Sequence, residues 1–183
     1  MKSLLFSILF FRLLVSISQP LLILRELADN ITMNVPLELK QEPPTLQRTT
    51  SSMLAIFVSQ DRRSDLSVNK SQLRWSEADE ELLSQFYKAN ILNIYDQVDM
   101  IQEEIREING RTFIVFEFSG QILDEPNAFI EAKRRSDYTY IQYLIVEDGI
   151  LIFRFTSSNR QKNYWQSAIR EAMDSVMIKD KKK

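Results

Sequence analysis

Two dipeptides constrain the folding of this chain more than any other feature. Asn109-Gly110 stands between the runs 101–108 and 111–118, and Asp148-Gly149 stands between 138–147 and 150–156. Asn-Gly and Asp-Gly supply the positive-φ pair that a type I′ turn demands. β-Branched and aromatic residues crowd the flanking runs, so each dipeptide predicts an antiparallel hairpin. In Phe113-Ile114-Val115-Phe116-Glu117-Phe118 apolar side chains fall on both alternating faces, and Ile141-Gln142-Tyr143-Leu144-Ile145-Val146 does the same. Strands of that kind predict a central sheet covered on both sides.

Two amphipathic segments supply the covers. Ser76 is positioned to cap a helix with Asp79 in an imperfect capping box and Glu77, Glu80 and Glu81 near the positive end. Leu83, Phe86, Tyr87, Ile91, Ile94, Tyr95 and Val98 then recur at helical spacing. Ser158 or Asn159 starts a second helix, which places Trp165, Ile169, Ala172, Met173 and Val176 on one stripe. That stripe predicts a buried Trp165. Trp75, just ahead of the first cap, is expected to matter less to the core.

Upstream, 31–39 and 54–59 read as strands and 66–73 as a weaker one, while Gln41-Glu42-Pro43-Pro44 reads as a turn or link that cannot continue a ladder. The segment 121–135, with Asp124, Glu125, Pro126 and Asn127 followed by Lys133-Arg134-Arg135, is the longest break in the sheet region. It is expected to be a loop with a short element at 128–132.

The first 18 residues begin Met1-Lys2-Ser3, continue through apolar runs broken by Arg12, and reach Ser16-Ile17-Ser18 before Gln19. A positive start, a short apolar stretch and a small-x-small site predict a secretory signal peptide over 1–18. An uncleaved inner-membrane anchor is the alternative and a plain buried N-terminal helix the third reading; Arg12 counts against the anchor, since an Arg at the centre of a membrane helix costs roughly 2.5–3.5 kcal/mol. Cleavage leaves 21 basic against 25 acidic residues, a net charge of −4; without the basic tail 179–183 the body carries 17 against 24. An acidic body repels phosphate backbones, so nucleic acid is not an expected partner. Membrane contact is expected only through an uncleaved N-terminus or the Lys tail. Export implies a periplasmic or other extracytoplasmic location.

The order of elements, strands, helix, hairpin, hairpin and final amphipathic helix, resembles the PsbP-like family, which includes the photosystem protein PsbP and the Ran-binding Mog proteins. The resemblance spans 31–178, after a lead-in at 19–30. It rests on Asn34-Val35-Pro36, on Asn109-Gly110-Arg111 before Phe113 to Phe118, on Asp148-Gly149-Ile150-Leu151, and on Tyr164-Trp165 opening a helix that ends Asp174-Ser175-Val176. It implies an α+β fold in which helices flank both faces of an antiparallel sheet, an α/β/α sandwich, and non-enzymatic binding to a protein partner. The chain has no His, so the family's photosystem metal site is not carried over.

The absence of His and Cys also removes zinc fingers, disulfides and Ser–His or Cys nucleophiles, and three glycines do not build a P-loop or a dinucleotide turn. Catalysis would have to come from carboxylates such as Glu103, Glu104 and Glu107 near Asp99. Glu103 and Glu107 share a strand face, but alternating charge on an edge strand already has a purpose in blocking edge-to-edge pairing. No enzyme activity and no cofactor are expected. Arg134 and Arg135 followed by Tyr138 and Tyr140 form the candidate partner surface, because aromatic tips beside Arg groups are enriched at protein interfaces. The expectation is thus an exported binding or scaffold protein. A lipid or small-ligand carrier with a cleft between sheet and helix is the alternative, and a carboxylate hydrolase the third reading.

Overall fold

The computed structural model describes residues 19–28, 30–43, 51–76, 79–123 and 134–179. The expected signal peptide at 1–18, the short element at 128–132 and the last four residues of the basic tail lie outside them. The elements run β1 (Leu22–Ala28), β2 (Ile31–Pro36), β3 (Leu39–Glu42), β4 (Ser51–Ser59), β5 (Ser64–Ser71), α1 (Glu80–Ile94), β6 (Gln97–Ile108), β7 (Arg111–Leu123), β8 (Arg134–Val146), β9 (Gly149–Ser158), a 3₁₀ turn (Asn159–Gln161), α2 (Lys162–Asp174) and β10 (Met177–Ile178). Seven strands form one sheet in the order β3-β4-β5-β9-β8-β7-β6, and β1-β2-β10 form a second. Every pairing is antiparallel, so the fold is α+β. Among the described residues, no helix is long and apolar enough to cross a membrane.

The Asn109-Gly110 hairpin forms as expected, with φ of 50° and 77° at its two turn residues. Asn109 has a second role: its Nδ2 donates to the carbonyls of Asp174 (3.2 Å) and Val176 (2.9 Å), tying the hairpin tip to the end of α2. The second hairpin is displaced by one residue. Val146 pairs with Gly149, the loop is Glu147-Asp148, and Asp148 has no positive φ, so the type I′ expectation fails there. Gly149 is required for another reason. At φ 145° its Cα faces the end of β5, and an added Cβ would lie 1.9 Å from the carbonyl oxygen of Ser71.

Four boundaries also differ from expectation. The lead-in 19–30 contains β1, an edge strand whose alternation is invisible because only Leu27 of its seven residues is buried. The run 31–39 is broken by a turn at Leu37 and Glu38, and β3 then carries Gln41 and Glu42 into a ladder with Phe57 and Ile56, so the link starts only at Pro43. The break at 121–135 is shorter, because β7 and β8 stay paired out to Leu123 and Arg134. Helix α1 begins at Glu80, later than a Ser76 cap would place it. The Asp79 carboxylate accepts the Ser76 N–H at 3.4 Å, but no side-chain cap bond reaches the helix.

The core divides into two apolar clusters, and alternation along the strands decides membership. Phe113, Val115, Tyr138, Tyr140, Leu144, Phe153 and Phe155 join Trp165, Ile169, Ala172 and Met173 of α2 and Ile31, Met33 and Val35 of β2. Ile114, Phe116, Phe118, Ile141, Tyr143 and Ile145 join Leu83 and Ile91 of α1. The predicted α2 stripe is buried throughout, with Trp165 3% exposed, whereas Trp75 is half-buried.

Candidate functional site

The expected surface of Arg134, Arg135, Tyr138 and Tyr140 does not form one exposed patch. Arg134 opens β8 opposite Leu123, and Arg135 is exposed with its Nε 2.7 Å from Asp137. Tyr138 and Tyr140 share a strand face as expected, but that face is the one beneath α2, and both are 0% exposed. Residues two apart on a strand share a face without declaring which, and burial of β8 on both sides hides the answer from the sequence.

The two tyrosines instead belong to a polar network inside the α2 face. Glu117, 0% exposed on β7, accepts hydrogen bonds from Tyr138 Oη (3.1 Å), Gln166 Nε2 (2.5 Å) and Arg170 Nε (2.8 Å). Arg106 Nη2 on β6 donates to Tyr140 Oη at 2.8 Å and pairs with Asp174 of α2. Burial raises the pKa of both phenols; beside Tyr138 the Glu117 carboxylate adds to the effect, while Arg106 opposes it at Tyr140. Every carboxylate oxygen of Glu117 is occupied by a protein donor. The network therefore fixes α2 to the sheet and presents no reactive group.

The β6 carboxylates are dispersed. Glu103 and Glu107 are exposed, and Glu103 pairs with Lys88 of α1 at 2.7 Å; Glu104 contacts Arg106 Nε at 3.1 Å. Among the described residues no group of three or more acidic side chains is placed to hold a metal ion. Between α2 and β6 lie two polar hollows. One of about 410 Å³ is lined by amides, Asp99 and Lys162, and one of about 320 Å³ by Arg106, Arg170 and Asp174.

A larger depression of about 640 Å³ lies on the opposite face of the sheet, where Tyr87 of α1 forms one wall and β4, β5, β9 and β8 form the floor. Ladder register arranges the floor in rows. Met53, Asn69, Ile152 and Tyr143 lie side by side, and the next row holds Ile56, Ser67, Arg154 and Ile141; Val58 pairs with Asp65 beyond them. Down the strands these rows become an apolar column on β4, a polar column of Asp65, Ser67 and Asn69 on β5, and a second apolar column on β8. The wall is fixed by stacking of Tyr87 on Tyr143, with ring centroids 3.7 Å apart and planes 14° apart. Phe86 packs on Tyr87 and Trp75 on Phe86, and with Leu73 and Leu82 they extend an exposed apolar surface from the rim.

Two charged groups face this trough, the half-buried Asp65 and the exposed Arg154, diagonal neighbours on β5 and β9 that attract each other but make no hydrogen bond among the described residues. Burial raises the Asp65 pKa above the ordinary carboxylate value, and the field of Arg154 only partly offsets it. At the rim Arg62 and Glu42 satisfy each other at 2.6 Å. Sequence reasoning did not find this site, because its lining comes from five strands and a helix and contains no local motif. The only signal was the count: a single helix was expected on this face, and the 15-residue α1 is too narrow to cover it.

No family model matches the chain, and no curated protein matches it. Solved structures do. Cyanobacterial PsbP (CyanoP) from Synechocystis sp. PCC 6803 is 14% identical with a TM-score of 0.58, over 85% of this chain and 92% of that one. PA94 from Pseudomonas aeruginosa is 12% identical with a TM-score of 0.55, over 87% and 99%. The Saccharomyces cerevisiae Ran-binding protein Mog1p is 13% identical with a TM-score of 0.50, over 87% and 96%.

Proposed function

We propose, from the PsbP-like fold that this chain has, that it is an exported, non-enzymatic binding or scaffold protein whose protein partner seats in the trough between Tyr87 and β4. The single observation that carries the reading is the half-covered sheet face: among the described residues, half-buried apolar side chains of β4 and β9, an aromatic rim, Asp65 and Arg154 line an open trough, while α2 and the second sheet cover the other face. Exposed contiguous apolar surface bordered by polar groups is what an interaction site requires. Mog1p, of like fold, is named for binding a protein, Ran. In this reading the domain is an α/β/α sandwich in which the partner completes the α1 layer. Export rests on residues 1–18, and the mature chain begins at Gln19 in an extracytoplasmic compartment. Arg135, whose charge acts on Asp65, is an accessory contact at the end of the trough.

A lipid or small-amphiphile carrier is the second reading, favoured by a volume within the roughly 300–1,000 Å³ of ligand pockets. Both are tested on protein taken from its own host. Size-exclusion chromatography of the extract is expected to show the wild type in a complex larger than the monomer, and Ile56→Glu, at a half-buried position outside both apolar clusters, as free chain that still unfolds cooperatively. A complex that survives the substitution contradicts the proposal. Native mass spectrometry that finds a small amphiphile lost on the same substitution moves the assignment to the carrier, and intact mass checks the start at Gln19.

A further inference from the structure

Resting on that reading of the trough, we infer that the partner's contact element is an α-helix lying along the strands, with a basic and an acidic side chain one turn apart within its apolar face. Width is the first argument. The half-buried columns left open beside α1 are those of β4, β5 and β9, and from β9 to β4 is two strand spacings, about 10 Å. A helix with its side chains is about 10–12 Å across, whereas a single added strand would leave most of the floor wet. The protein already uses this solution on the same face, where α1 sets Leu83 and Ile91 on the sheet beside the trough.

Charge is the second argument. Arg154 pairs in register with Ser67, and Asp65 lies two residues further along β5. The two groups are therefore offset along the strand direction by about 6.6 Å, close to the roughly 6 Å rise between helix residues i and i+4. A base over Asp65 and an acid over Arg154 would give both groups hydrogen bonds that no described residue supplies, while flanking apolar residues meet Met53, Ile56 and Val58 on one side and Ile152 and the Tyr87 ring on the other. The occupant is thus an amphipathic helix of another protein carrying one such acid–base pair. Small zwitterions leave the apolar columns uncovered.

Photo-crosslinking amino acids placed at Ile56 and, separately, at Ile152 of the full chain in its own host test this, with the adducts mapped by mass spectrometry. The expected result is one partner segment labelled at residues three or four apart, containing an acid and a base at i and i+4. Arg154→Glu, or Arg154→Gln should the first variant fold poorly, is expected to reduce adduct yield roughly tenfold, and reversing the partner's acid to Arg restores it for Arg154→Glu. Adducts two residues apart, on a second copy of this chain, or insensitive to Arg154 overturn the helix and leave partner binding in the trough standing. Absence of protein adducts, or adducts on a lipid alone, overturns both.

Discussion

The two faces of the seven-stranded sheet are finished in different ways. Beneath α2 the side chains of β7, β8 and β9 meet a helix and a second sheet, and the one charged group in the middle, Glu117, is enclosed by three protein donors. On the other face α1 leaves the columns of β4, β5 and β9 open among the described residues, and the half-buried Asp65 has only the field of the exposed Arg154 to offset its burial, with no hydrogen-bond donor. The polar groups of the closed face tie α2 to the sheet; those of the open face line the trough. Burial alone does not separate the two cases, since both faces contain fully buried aromatics. The distinction lies in whether each buried or half-buried charge has been satisfied from within.

The largest expected effect breaks the comparison if it fails. Trp165→Ala should cost about 3–5 kcal/mol, since it empties a site packed against Phe155 and Tyr164, whereas Tyr87→Ala on the open face should cost roughly 1–2 kcal/mol, the stack on Tyr143 and some burial. Urea midpoints of the two variants measure the gap, and equal midpoints would remove the distinction between faces.

Next in size is the Glu117 network. Arg170→Met leaves a buried carboxylate without its cation and should cost roughly 1–3 kcal/mol, the lower end reflecting an Arg170 side chain that is 44% exposed. Adding Glu117→Gln to that variant should recover most of the loss, because the unpaired charge and not the lost contact is the main cost. Thermal denaturation of the single and double variants decides this.

The smallest effect sharpens the comparison by its sign. Asp65 binds its proton more tightly in the folded state than in the unfolded chain, so its contribution to stability falls as pH rises from the ordinary carboxylate value through the raised one. At neutral pH the charged form is therefore a cost. Asp65→Asn should stabilise the fold slightly at pH 7, by under about 1 kcal/mol, with the gain fading below about pH 4. A loss of stability at pH 7 would mean that Asp65 is satisfied within the fold.

Legibility followed the range of the interactions. Asn109-Gly110, the Phe-rich strand and the stripe from Trp165 to Val176 could be read because turn chemistry and periodicity are local, and each stands where expected. Asp148-Gly149 misled because the same glycine is demanded by a close approach to Ser71, which is distant in sequence. Strand β1 was missed because an edge strand exposed on most of its residues has no apolar alternation to show. Tyr138 and Tyr140 were paired correctly and placed wrongly, since period two gives a common face and not its surroundings. The trough exists only through the register of β4, β5, β9 and β8, which no window along the chain contains.

The central claim, that the open face is the binding surface, is tested most directly by hydroxyl-radical footprinting of the chain alone and in its native complex. Met53 and Tyr87 line the trough, and Met177, 51% exposed on β10 of the second sheet, lies outside it. The account predicts that Met53 and Tyr87 are oxidised in the isolated chain and protected in the complex, with Met177 oxidised equally in both. Protection of Met177 with Met53 and Tyr87 unchanged would place the partner elsewhere and contradict it.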